Sequence, residues 1–209
     1  MSEETGGKRD FRRLAENLRT AGYIVHCFRN AAEACAYLDE RIDGRTVGFA
    51  GSMTLEEMGL YDWLSAHNRV YWHHRIPAGS TDRDERAAAR TASVYITSVN
   101  AVAETGEMVN IDFTGNRVAS MCYGHEKVYF VIGQNKVTAD YESAVYRARN
   151  TAAPRNAKRL NAATPCAREG NRCYDCRSPA RICRVLSVLW SKPVSEDCEV
   201  LLIGEDLGY

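Results

Sequence analysis

The sequence predicts an α/β fold, a mixed and mainly parallel sheet with flanking helices, on three observations. Short apolar runs alternate with helical segments through the first hundred residues, cap signatures recur where a run gives way to a helix, and the β-branched run at 93–99 has the character of a central strand. A chain of 209 residues can bury most of its unfolded surface around one core. It therefore reads as a single domain over 1–209 that carries a cysteine-rich insert at 151–184.

The elements follow in order. After a polar leader, Phe11, Leu14, Ala15 and Leu18 recur at helical spacing until Gly22 stops the helix. Residues 23–28 read as a strand, and Asn30 with Glu33 forms a capping-box signature for a helix burying Ala34, Cys35 and Leu38. A short buried strand at 46–50 runs into Gly51-Ser52-Met53-Thr54, where Thr54 with Glu57 repeats the cap signature. A weak strand at 70–72 and a charged helix at 82–90 precede the run at 93–99. Segments 108–113 and 117–122, separated by Thr114-Gly115-Asn116, read as an antiparallel hairpin. A continuous apolar strand at 127–132 and a helix at 141–149 restore the parallel pattern, and a helix at 180–190 and a strand at 199–203 close the chain.

Composition excludes several functions. Lys plus Arg number 27 against 27 Asp plus Glu, so there is no general pull toward phosphate backbones, and no local basic patch is large enough for nucleic acid. The longest apolar stretches fall far short of the roughly 20 residues of a membrane helix, and the first ten residues are polar rather than a signal peptide. A cytoplasmic location follows as the expectation. In that reducing compartment, closely spaced cysteines point to metal or redox chemistry rather than to disulfides.

Four of the eight cysteines, Cys166, Cys173, Cys176 and Cys183, fall in the spacing C-x6-C-x2-C-x6-C. A CxxC pair supplies two adjacent thiolates, and the flanking loops bring the outer two inward to a shared ion or cluster. Arg168, Arg172, Arg177, Arg181 and Arg184 outnumber Glu169 and Asp175 in this segment, which suits a net negative site. The spacing matches neither the bacterial ferredoxin run nor a paired-CxxC zinc ribbon, so softness leaves iron–sulfur and zinc both open. A Cys173–Cys176 redox pair, or four reduced cysteines packed in a loop, is the plainer account. Cys27, Cys35, Cys122 and Cys198 lie on expected strands or helices and read as small buried hydrophobes.

The polar loops are weaker signals. Gly51, Ser52 and Thr54 follow a buried strand and open a helix, where backbone N–H groups and hydroxyls hold anions; ordinary capping by Thr54 is the alternative. Asn100 to Gly106 also follows a strong strand, and Glu104 there is a candidate nucleophile or base, or simply an exposed acid. Asn110, Asn116, Arg117 and Lys136 stand near strand ends and turns, with Arg117 and Lys136 supplying positive charge for an anionic substrate. The tandem His73-His74 lacks the spacing of a helical metal pair and reads as surface or packing. No GxGxxG turn suggests a flavin or nicotinamide.

Taken together, the order GSMT, NAVAETGEMVN, TGNR, GQNK, APRNAKRL, TPCAREGNRCYDC, RIC and LIGEDLGY resembles the LUD-domain family of lactate-utilization proteins, from about Phe11 to Tyr209. The cysteine segment is similar to the small, single-domain branch. The resemblance implies a fold similar to that of sugar-phosphate isomerases and CoA transferases, and a link to oxidation of lactate to pyruvate beside iron–sulfur protein partners. Carried over by position, it assigns ligand contacts to Gly51, Ser52 and Thr54, then to Asn100, Glu104, Thr105, Gly106, Asn110, Gly115, Asn116 and Arg117, with Lys136 close by. Met53 departs from the pattern, taking a place often held by a small residue. Glu104-Thr105-Gly106 looks like the glutamate-x-glycine element of CoA transferases, an analogy between folds.

Three readings stand at this point. One is a lactate-utilization protein with an iron–sulfur cluster on the four cysteines, in an electron-transfer or accessory role. The second is an isomerase or CoA-transferase-like enzyme using Glu104 on a small anionic substrate such as a sugar phosphate or CoA ester. The third is a binding module for lactate, pyruvate or a similar carboxylate, with a structural zinc site.

Overall fold

Alternation of apolar residues along adjacent strands decides the architecture, because every second side chain faces the opposite layer. The structure, a computed structural model, describes residues 9–209. Most of the polar leader lies outside the described residues. The first half of the chain forms α1 (Arg12–Thr20), β1 (Ile24–Phe28), α2 (Ala31–Arg41), β2 (Thr46–Phe49), α3 (Met53–Glu57), α4 (Leu60–Leu64), β3 (Arg69–Tyr71), α5 (Asp82–Arg90) and β4 (Val94–Thr97). There follow β5 (Ala101–Ala103), β6 (Met108–Asp112), α6 (Asn116–Cys122), β7 (Lys127–Gly133), β8 (Val137–Thr138) and α7 (Tyr141–Arg147). The remainder is α8 (Ala153–Arg159), α9 (Pro165–Glu169), β9 (Val185–Leu189) and β10 (Asp197–Ile203).

Six strands in the order β1-β10-β7-β4-β2-β3 pair in parallel throughout. One face presents Tyr129, Val131, Leu201, Ile203, Val47, Phe49 and Ile96 to α2, α3 and α4. The other presents Val128, Phe130, Ile132, Val200, Leu202 and Tyr95 to α1 and to a second sheet. Burial on both faces explains why these strands read as continuous apolar runs. Gly48 of β2 allows α5 to lie directly on the sheet, since a Cβ there would drive into the Ala89 backbone.

The second sheet has the order β8-β5-β6-β9 and is mixed: β6 is antiparallel to both β5 and β9, and β8 is parallel to β5. Its outer face packs Ala101, Ala103 and Val109 against Ala144 and Ala148. A π-helical segment at Ala148–Ala152 joins α7 to α8. Pro154, Ala157, Ala167 and Ile182 are buried where α8 and α9 meet the cysteine segment.

Three expected elements differ. Residues 116–122 are a helix, and the hairpin lies one element earlier, between β5 and β6. Gly115 starts that helix in the left-handed region (φ 83°), and the Asp112 carboxylate accepts the Val118 N–H at 3.0 Å, so the TGN turn caps a helix. The expected helix at 180–190 is instead a loop and β9, because the run Val185, Leu186, Val188, Leu189 completes the second sheet along β6. At the third, Ser52 rather than Thr54 caps α3, accepting the Leu55 N–H. Cys27 is exposed, while Cys35 and Cys198 are buried as expected and Cys122 half-buried. No described helix is long and apolar enough to cross a membrane.

Candidate functional site

Strands β2, β3, β4 and β7 all deliver their carboxyl ends to one edge of the parallel sheet. From β2 the chain moves outward to β3, and from β4 it moves the other way to β7, so a crevice opens between β2 and β4. Open α/β sheets place ligands at such a reversal. A cavity of about 700 Å³ occupies it, lined by the exits of β2 (Gly51, Ser52, Met53), β3 (His73, His74), β4 (Ser98, Asn100) and β7 (Lys136). The opposite wall comes from Asp112, Phe113, Thr114, Asn116 and Arg117, with Asp82 and Arg86 of α5, Asn156 and Arg159 of α8, and Tyr209.

Of the residues singled out from sequence, Gly51, Ser52, Asn100, Asn116, Arg117 and Lys136 line this cavity. Thr54 stands behind Lys136, accepting its Nζ at 2.6 Å and donating to the Leu207 carbonyl at 3.1 Å. Asn110 is fully buried on β6, its amide atoms without partners, and does not line the cavity. Glu104, Thr105 and Gly106 lie elsewhere, in the β5–β6 turn. Glu104 pairs with Arg9 at 3.2 Å and Arg13 at 3.7 Å, its carbonyl accepts Asn17, and Gly106 takes φ 111° to close the turn. That segment fastens the hairpin to α1, and its carboxylate does not reach the cavity.

The cavity's charge is mostly positive and loosely committed. Arg117 donates only to neutral oxygens, Asn100 Oδ1 at 3.1 Å and the Ile111 carbonyl at 2.6 Å. Arg159 likewise bonds Asn156 and the Tyr209 hydroxyl. Neither has a carboxylate oxygen within 4 Å among the described residues, whereas Arg86 is paired with Asp82 at 2.7 Å. Lys136 is buried with its amine on the Thr54 and Ser98 hydroxyls (2.6 and 2.8 Å); burial, then the nearby Arg147 and Arg117, pushes it down to about 7.

His73 and His74, expected from sequence at the surface or in packing, both face the Gly51 loop: a Cβ on Gly51 would come within 2.8 Å of His73 Nε2 and 3.5 Å of His74 Nε2. Burial and the neighbouring Arg86 push His73 down to about 4. Burial also lowers His74, against the pull of Glu56, which sits 3.3 Å from its Nδ1. Burial thus favours the neutral form of both imidazoles. Their place directly after a parallel strand was the signal available in sequence.

A smaller cavity of about 250 Å³ adjoins the first, and all four clustered cysteines line it. The Cys173 sulfur accepts the Asp175 N–H at 3.3 Å, and the Cys183 sulfur accepts Arg181 Nη2 at 3.3 Å. Arg149, Arg181 and Arg184 also line this cavity. Among the described residues no three His, Cys, Asp or Glu side chains converge closely enough to hold a single ion. The sulfurs thus share one chamber without meeting at a point. Four thiols, N–H donors on two of them and three guanidinium groups line the chamber, a donor set and charge that suit a soft, thiolate-bound group.

A family model described as the LUD domain matches residues 11–203. Among solved structures, the chain is similar to a DUF162 family protein from Deinococcus radiodurans at 13% identity, with a TM-score of 0.54 over 92% of this chain and 95% of that one, a likeness of fold. No curated protein matches.

Proposed function

This chain belongs to the LUD-domain family, and from that premise we propose that it serves lactate utilization by binding a small 2-hydroxy or 2-oxo carboxylate beside an iron–sulfur cluster. The role is electron transfer or accessory to the oxidation of lactate to pyruvate, with iron–sulfur protein partners. One observation carries the reading: Ile111, Ala153 and Ile182 line both cavities, so the anion-binding space and the four-cysteine chamber share a wall.

Each part of the larger cavity has a task. Arg117 and Arg159, with no carboxylate oxygen within 4 Å among the described residues, bind the substrate carboxylate. His74, oriented by Glu56, accepts a hydrogen bond from the substrate hydroxyl. Tyr209 and the C-terminal segment cover one side: the Gly208 N–H donates to Glu57 and its carbonyl accepts Asn135. Cys166, Cys173, Cys176 and Cys183 would hold the cluster, which supplies one-electron chemistry when bound. Arg149 and Arg181 offset the charge of its thiolates.

Protein purified without oxygen should contain iron and acid-labile sulfide and show a broad visible absorption, and Cys173→Ser with Cys176→Ser should remove both while leaving the far-ultraviolet dichroism intact. A colourless protein carrying stoichiometric zinc would refute the redox role.

A further inference from the structure

We infer that the Lys136 amine condenses with the carbonyl carbon of a 2-oxo acid in the large cavity, forming a reversible imine that a 2-hydroxy acid cannot form. The inference rests on the proposed carboxylate-binding cavity and adds to it a covalent means of telling the oxidised acid from the reduced one.

The setting of Lys136 differs from that of other lysines in the chain. Lys127 is held by the Glu199 carboxylate at 2.6 Å, and Lys192 donates to the Pro193 and Glu196 carbonyls. Lys136 is 3% exposed, has no carboxylate within 4 Å among the described residues, and bonds only two hydroxyls. An ammonium group has three donors, so one direction remains, and the residue lines the cavity. Loss of its proton costs no ion pair, and burial favours the neutral amine.

The second half of the argument is placement. Lys136 bonds Ser98 and Arg117 bonds Asn100, two residues further along the same exit from β4. The amine and the guanidinium are therefore both anchored to the exit of β4, near enough for the Arg117 charge to act on Lys136. A 2-oxo acid carries its carboxylate on the carbon next to its carbonyl, so a carboxylate held by Arg117 presents its carbonyl toward Lys136.

The step balances without an added reagent. The nitrogen lone pair attacks the carbonyl carbon, a C–N bond forms, and the carbonyl π pair moves to oxygen. Proton transfer from nitrogen to that oxygen, relayed by the Ser98 hydroxyl, gives a carbinolamine, which expels water to leave the imine. Hydrolysis returns the free amine and the 2-oxo acid.

The test incubates the full chain, purified without oxygen, with pyruvate and cyanoborohydride, followed by intact mass and peptide mapping, with calorimetric titration of pyruvate run in parallel. The expected result is a single reduced adduct on Lys136 with pyruvate, none with lactate, and none in Lys136→Arg, which keeps the charge. Lys136→Met serves as a second variant, and mapping of the unaltered protein is independent of whether either variant folds. Pyruvate that binds without an adduct at Lys136, or adducts spread over other lysines and unchanged in Lys136→Arg, overturns the imine while leaving the cavity reading intact. Failure of pyruvate to bind at all overturns both.

Discussion

Lys136 Nζ lies 2.6 Å from the Thr54 hydroxyl, tying the loop after β7 to α3 across 82 positions of sequence. The contact is buried, and the lysine's proton is held less firmly here than in the unfolded chain. A base whose folded value is depressed gains stability as pH rises, because between the folded and unfolded values the unfolded chain binds the extra proton. Stability should therefore rise from pH 7 to about 8.5, by at most about 1.4 kcal/mol per unit. Above that window the buried thiols of Cys35 and Cys198, pushed up to about 11 and about 12, reverse the trend. Urea midpoints measured across pH should show the gain in the parent and its loss in Lys136→Met.

Among the described residues the Arg117 guanidinium donates to neutral oxygens and has no carboxylate within 4 Å, which leaves it able to take an anion. A hydrogen bond to a charged group is worth about 1.5–3 kcal/mol, which predicts pyruvate binding weaker by about 10- to 100-fold in Arg117→Met. Calorimetric titration checks the value, and unchanged affinity would remove Arg117 from the carboxylate site.

Glu104 faces α1, away from the cavity. Glu104→Gln should bind pyruvate as tightly as the parent and lose about 0.2–1 kcal/mol of stability from its partly exposed pairs with Arg9 and Arg13. A large loss of binding would return Glu104 to the site.

Gly48 permits a close approach of α5 to the sheet, with the Ala89 Cα and carbonyl carbon both 2.9 Å from where a Cβ would stand. These atoms are backbone and cannot step aside. Gly48→Ala should cost about 1–3 kcal/mol by overpacking, read as a drop in the urea midpoint. Since α5 carries Arg86 and Asp82 into the cavity, pyruvate affinity should fall with it.

Much of the sheet was legible because its strands are buried on both faces and announce themselves as apolar runs, as at 93–99 and 127–132. The segments at 117–122 and 180–190 fold otherwise than their local pattern predicts, for a common reason. Each has a pattern compatible with two periods over a short stretch, and partners distant in sequence chose between them: the Asp112 carboxylate for the helix, and β6 for the strand.

The chain's own order of residues determined the α/β class, the parallel core, the family resemblance and the grouping of Cys166, Cys173, Cys176 and Cys183, since all of these are local patterns or spacings. Tertiary structure alone decided that His73, His74, Arg86 and Arg159 face the cavity while Glu104 turns away from it. It also gave the two cavities a common wall and set Lys136 against the Thr54 and Ser98 hydroxyls. These are relations between strand ends far apart in the chain, set by the order in which the sheet is wound, and short-range periodicity carries no record of that order.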